Sequence, residues 1–139
     1  MESLHNRIGY LLRNAYQNLN RDFRKKLTQE KITTHQYVVL QGLGELGEAI
    51  QRTLAEHCAI EPSNLNVMIK RMKESGLVQA AGEAADSRGA LTLTRRGRAV
   101  LLRCQKLDVE VTGEFLAPLS EAEAKALRTA LTKLVQHSR

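Results

Sequence analysis

Ser63, Asn64, Asn66, Lys70, Arg71 and Lys73 fall on one side of the segment PSNLNVMIKRMKE, where no acid appears before Glu74. Short hydroxyl and amide side chains carry donors and acceptors that match the edges of bases, and cations further along match phosphate. Recognition of a nucleic-acid groove is therefore the chemistry this set can perform. A solvated helix face has a similar composition, so the set alone does not decide the matter. Asp86 and Arg88 form a second candidate group. An arginine carried on a small, flexible loop can enter a minor groove, where negative potential favours guanidinium. An aspartate two residues earlier can orient it through a charge-assisted bond. The plainer account of this pair is a local surface ion pair of little energetic weight.

Elements able to position these residues are readable on both sides. Pro62 suits the first helical position, and Gly76 suits a left-handed cap after the last. Between them Leu65, Met68, Ile69 and Met72 repeat at helical spacing and mark a buried face. Leu77 and Val78 then open a strand, and Leu91 and Leu93 alternate with Thr92 and Thr94 in a second. The segment from Gly82 to Gly89 between them is small and polar, long enough to reach along a groove. A helix followed by two strands and such a turn predicts a winged helix-turn-helix, whose second helix enters the major groove.

Helices flank this unit. The first is predicted over about Leu4 to Leu27, with Leu4, Ile8, Leu11, Leu12, Ala15, Leu19 and Phe23 in one apolar stripe. Thr33 or Thr34 can cap a second through about Leu46, with Tyr37, Val38, Leu40 and Leu43 inward. A third runs about Ala49 to His57, and Ala59 and Ile60 turn the chain into the recognition segment. Thr94 can cap a long helix to about Phe115, with Val100, Leu101, Cys104, Leu107 and Val111 at helical spacing before Pro118 stops it. Ser120 and Glu123 make a capping box for a last helix carrying Leu127, Leu131, Leu134 and Val135. The fold class is mainly α, with long helices at both ends. Residues 1–139 read as a single domain, with 32–98 as the winged part and 1–28 and 99–139 as helical dimerisation parts. One central unit offers little surface to cover three apolar helix faces, whereas a two-fold homodimer covers them and places two recognition helices on successive groove turns.

Charge agrees with this division. The net charge is +6, and residues 61–98 carry Lys70, Arg71, Lys73, Arg88, Arg95, Arg96 and Arg98 against Glu61, Glu74, Glu83 and Asp86. Residues 32–60 carry only Arg52 against Glu45, Glu48 and Glu56. Residues 1–31 are basic as well, with Arg7, Arg13, Arg21, Arg24, Lys25, Lys26 and Lys31 against Glu2, Asp22 and Glu30. Basic segments that belong to a packed fold fit double-stranded DNA better than a membrane surface. No apolar run is long enough for a membrane span and the start lacks a secretory core, so a cytoplasmic protein is expected. Cys58 and Cys104 form no CxxC pair and have no histidine at zinc-ligand spacing, so no metal or other cofactor is expected and both thiols read as reduced. No catalytic residues are assigned. His5, His35, His57 and His137 are scattered, and no Gly-rich loop opens a helix after a strand.

The chain resembles the MarR-type (multiple antibiotic resistance) class of bacterial transcription regulators. The resemblance is carried by HQYVVL at 35–40, TLAEH at 53–57, IEPSNLNVMIKRMKESGLV at 60–78, DSRG at 86–89 and LTRRGRAVL at 93–101. It implies a triangular dimer joined by the first helix and the last two, and binding to pseudo-palindromic operators, usually as a repressor. It also implies release by a small aromatic acid, phenolic or oxidant near the junction of the dimer and DNA-binding parts. Departures from the family pattern are Ile50 where the third helix usually has Ser or Thr, Ala80 and Ala81 where basic residues are frequent, and a shorter interval between Arg88 and Leu93.

His5, Tyr10, Arg13, Tyr16 and Tyr37 are the candidate effector-binding residues. Arg13 would supply charge and the tyrosines would supply ring faces and hydroxyls to an aromatic or phenolic acid. Tyr16 and Tyr37 serve equally well as core or interface residues. A thiol-based sensor built on Cys58 is another reading, against a small buried apolar role for the same residue. A winged-helix module that docks protein is a third; it would favour exposed apolar or aromatic anchors where Asn64, Asn66, Lys70 and Arg71 stand.

Overall fold

The protein is described by a computed structural model covering residues 1–82 and 89–138. The Ser3 hydroxyl accepts the His5 N–H and holds a single 3-10 turn over Leu4–Asn6. Helix α1 follows over Ile8–Leu27. It starts later than the stripe suggests because Arg7 adopts an extended backbone, φ −75° and ψ 132°, that interrupts the run. Helix α2 covers Thr34–Leu46. Thr33 is its cap: the hydroxyl accepts the Gln36 N–H at 3.1 Å, and the Gln36 side chain accepts the Thr33 N–H at 3.0 Å. Gln36 three residues on selects Thr33 over Thr34, because only that spacing closes the reciprocal pair.

Gly47 ends α2 at φ +78°, a conformation that favours glycine, and turns the chain into strand β1, Glu48–Ala49. Helix α3 spans Gln51–Cys58 with Ile50 at its cap position and no side-chain cap bond. Helix α4 spans Pro62–Glu74, strands β2 and β3 span Val78–Ala80 and Leu91–Leu93, and helices α5 and α6 span Arg95–Leu116 and Glu121–His137. The sheet order is β1-β3-β2, antiparallel throughout, with Ala49 opposite Leu91 and Val78 opposite Leu93. The Thr92 hydroxyl donates to the Gly47 carbonyl at 2.9 Å and ties the central strand to the end of α2.

The core lies where the end of α1, α2, α3, α4, α5 and the sheet meet. Leu27, Val39, Leu40, Leu43, Leu54, Leu65, Met72 and Cys104 are fully enclosed there. Two details of the sequence reading are corrected. Val38 was expected inward but is 40% exposed, while its neighbour Val39 is 0% exposed. At about 100° per residue, Val38 points away from Leu40 and Leu43, and Val39 shares their side. The third helix was expected from Ala49, yet Ala49 is a buried strand residue and α3 begins at Gln51. The ends of the chain are packed differently. Helix α6 contains no buried residue, and in α1 only Leu27 is buried.

Among the glycines, the closest approach to another part of the chain is at Gly97, in the first turn of α5. A Cβ built there would lie 2.0 Å from the Leu77 carbonyl oxygen and 3.0 Å from its carbon. Both obstacles are backbone, so nothing can rotate away. Gly97→Ala is expected to destabilise the fold by about 1–3 kcal/mol, the usual cost of overpacking a closed contact. Urea denaturation at matched protein concentration reads this directly, and a change under about 0.5 kcal/mol, within the range of neutral surface substitutions, would show that α5 does not rest on Leu77.

Candidate nucleic-acid interface

Helix α4 is presented by a short turn. Ala59 closes α3 in the left-handed region at φ 54°, Ile60 and Glu61 cross over, and Pro62 begins α4 without losing a needed N–H. Leu65, Ile69 and Met72 are buried and Met68 is packed at the edge of the core, so one side of α4 is locked against α3 and the sheet. Gly76, at φ +76°, ends it and delivers Leu77 into the core. Ser63, Asn64, Asn66, Lys70, Arg71 and Lys73 are all exposed on the opposite side. Among the described residues, none of the side chains of Ser63, Asn64, Asn66, Lys70 and Arg71 has a hydrogen-bond or ion-pair partner within the chain. Their donors, acceptors and charges are free for an external ligand. Asp86 and Arg88 lie outside the described residues.

A second feature lies at the junction of α2, α3 and α5, a cavity of about 540 Å³. Tyr37, Gln41 and Glu45 of α2, His57 and Cys58 of α3, and Gln105 and Asp108 of α5 wall it. Two hydrogen-bonded chains cross these helices. Gln105 donates to Gln41 at 2.7 Å, Gln41 donates to Glu45 at 3.1 Å, and His57 Nε2 donates to the other Glu45 oxygen at 2.8 Å. The Tyr37 hydroxyl donates to Asp108 at 2.8 Å, and Thr112 donates to the second Asp108 oxygen at 3.0 Å. Hydrogen bonds from His57 and then Gln41 hold the Glu45 carboxyl below its usual range. Burial, followed by the bond to Asp108, pushes the Tyr37 hydroxyl well above the ordinary phenol value, so it stays a donor.

The MarR family model matches residues 32–88, which include α2, α3, α4 and β2. The chain is 26% identical over 129 residues to the HTH-type transcriptional repressor NicR of Pseudomonas putida, covering 92% of this chain and 82% of NicR. Its fold is similar to that of BpsR from Bordetella bronchiseptica, with a TM-score of 0.86, 29% identity and 97% of each chain covered. It is similar also to a probable transcriptional regulator from Pseudomonas aeruginosa, with a TM-score of 0.83, 31% identity, and 95% of this chain and 99% of that one covered. The chain belongs to the MarR family. It is a winged-helix member of that family of transcription regulators, and among the described residues no helix is long and apolar enough to cross a membrane.

Within this MarR fold the five candidate effector residues do not come together in one chain. Tyr37 is buried edge-on against Phe23, with ring centroids 5.1 Å apart, and lines the junction cavity. His5 packs edge-on against Tyr10 at 5.2 Å, Arg13 is exposed, and Tyr16 is 61% exposed. None of these four lines the cavity that holds Tyr37. Tyr10 precedes Phe23 by thirteen residues, which places it about 20 Å further along α1. Shared residue type suggested a cluster that helix rise pulls apart. The cavity instead gathers Gln41, Glu45, His57, Gln105 and Asp108. Gln41 and Glu45 carried a faint signal, two polar residues one turn apart on α2, but nothing local ties them to α5. Both thiols are shifted away from reactivity. Burial and then Glu45 push Cys58 up, and burial and then Glu30 push Cys104 to about 11. A sensing thiol needs the opposite shift.

Proposed function

We propose that two copies of this chain form a repressor that binds a pseudo-palindromic operator through α4 and the β2–β3 hairpin. The observation that carries the DNA-binding part is the free polar and cationic face of α4, held outward by Leu65, Ile69 and Met72 on its other side. Ser63, Asn64 and Asn66 meet base edges in the major groove, and Lys70 and Arg71 meet the backbone or a guanine edge. Asp86 and Arg88 belong to the proposal as minor-groove residues of the wing. Residues 32–98 act as the DNA-binding part, and 1–28 and 99–139 act as the dimerisation parts. NicR, a relative of this chain, is a transcriptional repressor.

The uncovered apolar faces support the dimer. Ile8, Leu11, Leu12 and Tyr16 of α1 and Leu127, Leu131, Leu134 and Val135 of α6 are all exposed in the single chain. Leu19, Phe115, Leu116, Leu127 and Leu131 wall a groove of about 470 Å³ between α1, α5 and α6. An interface through residues near 4–20 and 105–137 covers these faces. Sedimentation at micromolar concentration is expected to give twice the monomer mass; a monomer with both end helices folded refutes this arrangement.

Selection from random duplex DNA is expected to return a two-fold site with half-sites about 10 base pairs apart. Removing Arg71 as Arg71→Ala is expected to cost about 1–3 kcal/mol if it makes a base contact. Lys70→Ala weakens binding evenly across sequences and reduces the salt slope by about one unit. Recovery of no symmetric sequence counts against the operator reading.

A regulatory reading is favoured by the junction cavity. The DNA binding of BpsR is regulated by 6-hydroxynicotinic acid. A small aromatic or phenolic acid in this cavity would lower operator affinity here, with a ring hydroxyl toward the Glu45 or Asp108 carboxylate and its own acid group toward Gln41, Gln105 and His57. Thermal-shift screening with 6-hydroxynicotinic acid, benzoates and phenols, followed by operator titration, tests it. A hit is expected to weaken binding about tenfold, which needs only about 1.4 kcal/mol of coupling. Hits that bind without changing operator affinity would exclude the regulatory role.

A further inference from the structure

Val67 is the residue of α4 whose character the fold does not explain. It is 51% exposed, although the other residues of similar character on this helix are buried or packed at the core. At 3.6 residues per turn it falls on the line of Ser63, Lys70 and Glu74, opposite Leu65, Ile69 and Met72. That line runs along the middle of the outward face. Valine is a poorer helix former than alanine or a straight-chain polar residue, so neither local propensity nor packing favours it there. Lys70 and Arg71 set positive charge one turn beyond it, while on its other side it shares a groove with Glu61, Asn64 and Met68, and no acid stands on α4 itself before Glu74. That charge fits the phosphates on either side of a DNA groove.

We infer that Val67 reads the C5-methyl group of a thymine in each half-site, an inference that rests on the DNA-binding reading of α4. The thymine methyl is the apolar group that base pairs display in the major groove, and apolar side chains recognise it by contact. A single valine beside cations is too small an anchor for a protein partner, which would need a larger desolvated side chain. Ser63 and Val67 are one turn apart, about 6 Å along the axis. The thymine is therefore placed within about two base-pair steps of the base met by Ser63, at roughly 3.4 Å per step. Asn64 and Asn66 supply hydrogen bonds on either side, and Val67 supplies discrimination that hydrogen bonds cannot.

The test uses the full chain and duplexes recovered by selection from random DNA. Each thymine is replaced by deoxyuridine, which removes the methyl and leaves the pairing intact. One thymine per half-site is expected to show a loss of about fourfold on replacement, near the value of burying one methyl-sized group, and about fifteenfold with both half-sites changed. Val67→Ala is expected to bind the thymine operator as weakly as the wild type binds the deoxyuridine one, with no further loss when the methyl is removed. The site is exposed and alanine favours the helix, so an unchanged thermal midpoint will show that the variant is folded. Val67→Thr, which keeps one methyl in a side chain of the same shape, should retain part of the discrimination. The inference is overturned if no deoxyuridine replacement weakens the wild type, or if the penalty persists undiminished in Val67→Ala. A selected operator indifferent to methyl loss defeats this inference alone. Selection that returns no preferred sequence defeats the DNA-binding reading with it.

Discussion

Thr94 and Gly97 tie the end of α4 to the start of α5, and the placing of the outward face depends on that tie. The Thr94 hydroxyl donates to the Gly76 carbonyl just past α4 and accepts the Gly97 N–H at 2.9 Å. The Thr94 N–H bonds to the Leu77 carbonyl at 3.1 Å. Gly97 allows this because any side chain would occupy the space of the Leu77 backbone. Arg98 adds a bond from its guanidinium to the Leu93 carbonyl at 2.9 Å. Recognition helix, hairpin base and long helix are thus joined through the Thr94 N–H and hydroxyl and the Arg98 guanidinium, all of which meet backbone groups of the other elements. A side chain on α4 inherits its direction from this junction as much as from its own helix.

Apolar burial is divided unevenly along the chain. The central unit completes a core, with Leu40, Leu43, Leu54, Leu65 and Met72 removed from solvent. The outer parts of α1 and α6 keep whole apolar stripes uncovered. Leaving one such side chain in water forgoes roughly 1.5–3 kcal/mol, so several together outweigh ordinary surface tolerance. Scattered exposed leucines need no explanation, but stripes on two helices that share a groove do. The polar face of α4 is the complementary case: among the described residues its donors and charges have no partner inside the chain.

Legibility in the sequence followed the range of the interactions. Helix α4 was readable to its ends because Pro62, the Leu65–Ile69–Met72 spacing and Gly76 are local signals. The capping box of α6 was readable for the same reason. Strand β1 was not, because two residues have no period and their pairing with Leu91 and Thr92 is made across the fold. Val38 and Val39 have the same chemistry and differ only in helical phase. The junction cavity was invisible because Gln41, His57 and Asp108 lie on three elements separated by long stretches of chain. The aromatic cluster proposed instead grouped residues by type, and the length of α1 keeps Tyr10 away from Tyr37. Val67 is a different case: its helical phase already sets it opposite Leu65, Ile69 and Met72, and its exposure agrees.

Under the regulatory reading, the cavity and the DNA face communicate through α3. The hydrogen-bonded chain from Gln105 through Gln41 and Glu45 ends on His57. His57 and Cys58 are the last residues of α3, and Ala59, held at φ 54°, carries the chain on toward Pro62. A shift of His57 therefore enters the turn that aims the first residues of α4, Ser63 and Asn64. The other end of α4 is fixed to α5 by Thr94, so such a shift tilts the helix about that end and does not slide it. An occupant that merely fills the cavity in both arrangements changes nothing, however tightly it binds. It must replace a contact that one arrangement makes and the other lacks. The Gln41–Gln105 bond is suited to this, since it spans the cavity between α2 and α5. The net worth of a typical hydrogen bond, about 0.5–1.5 kcal/mol, is close to the coupling that a tenfold change in affinity needs.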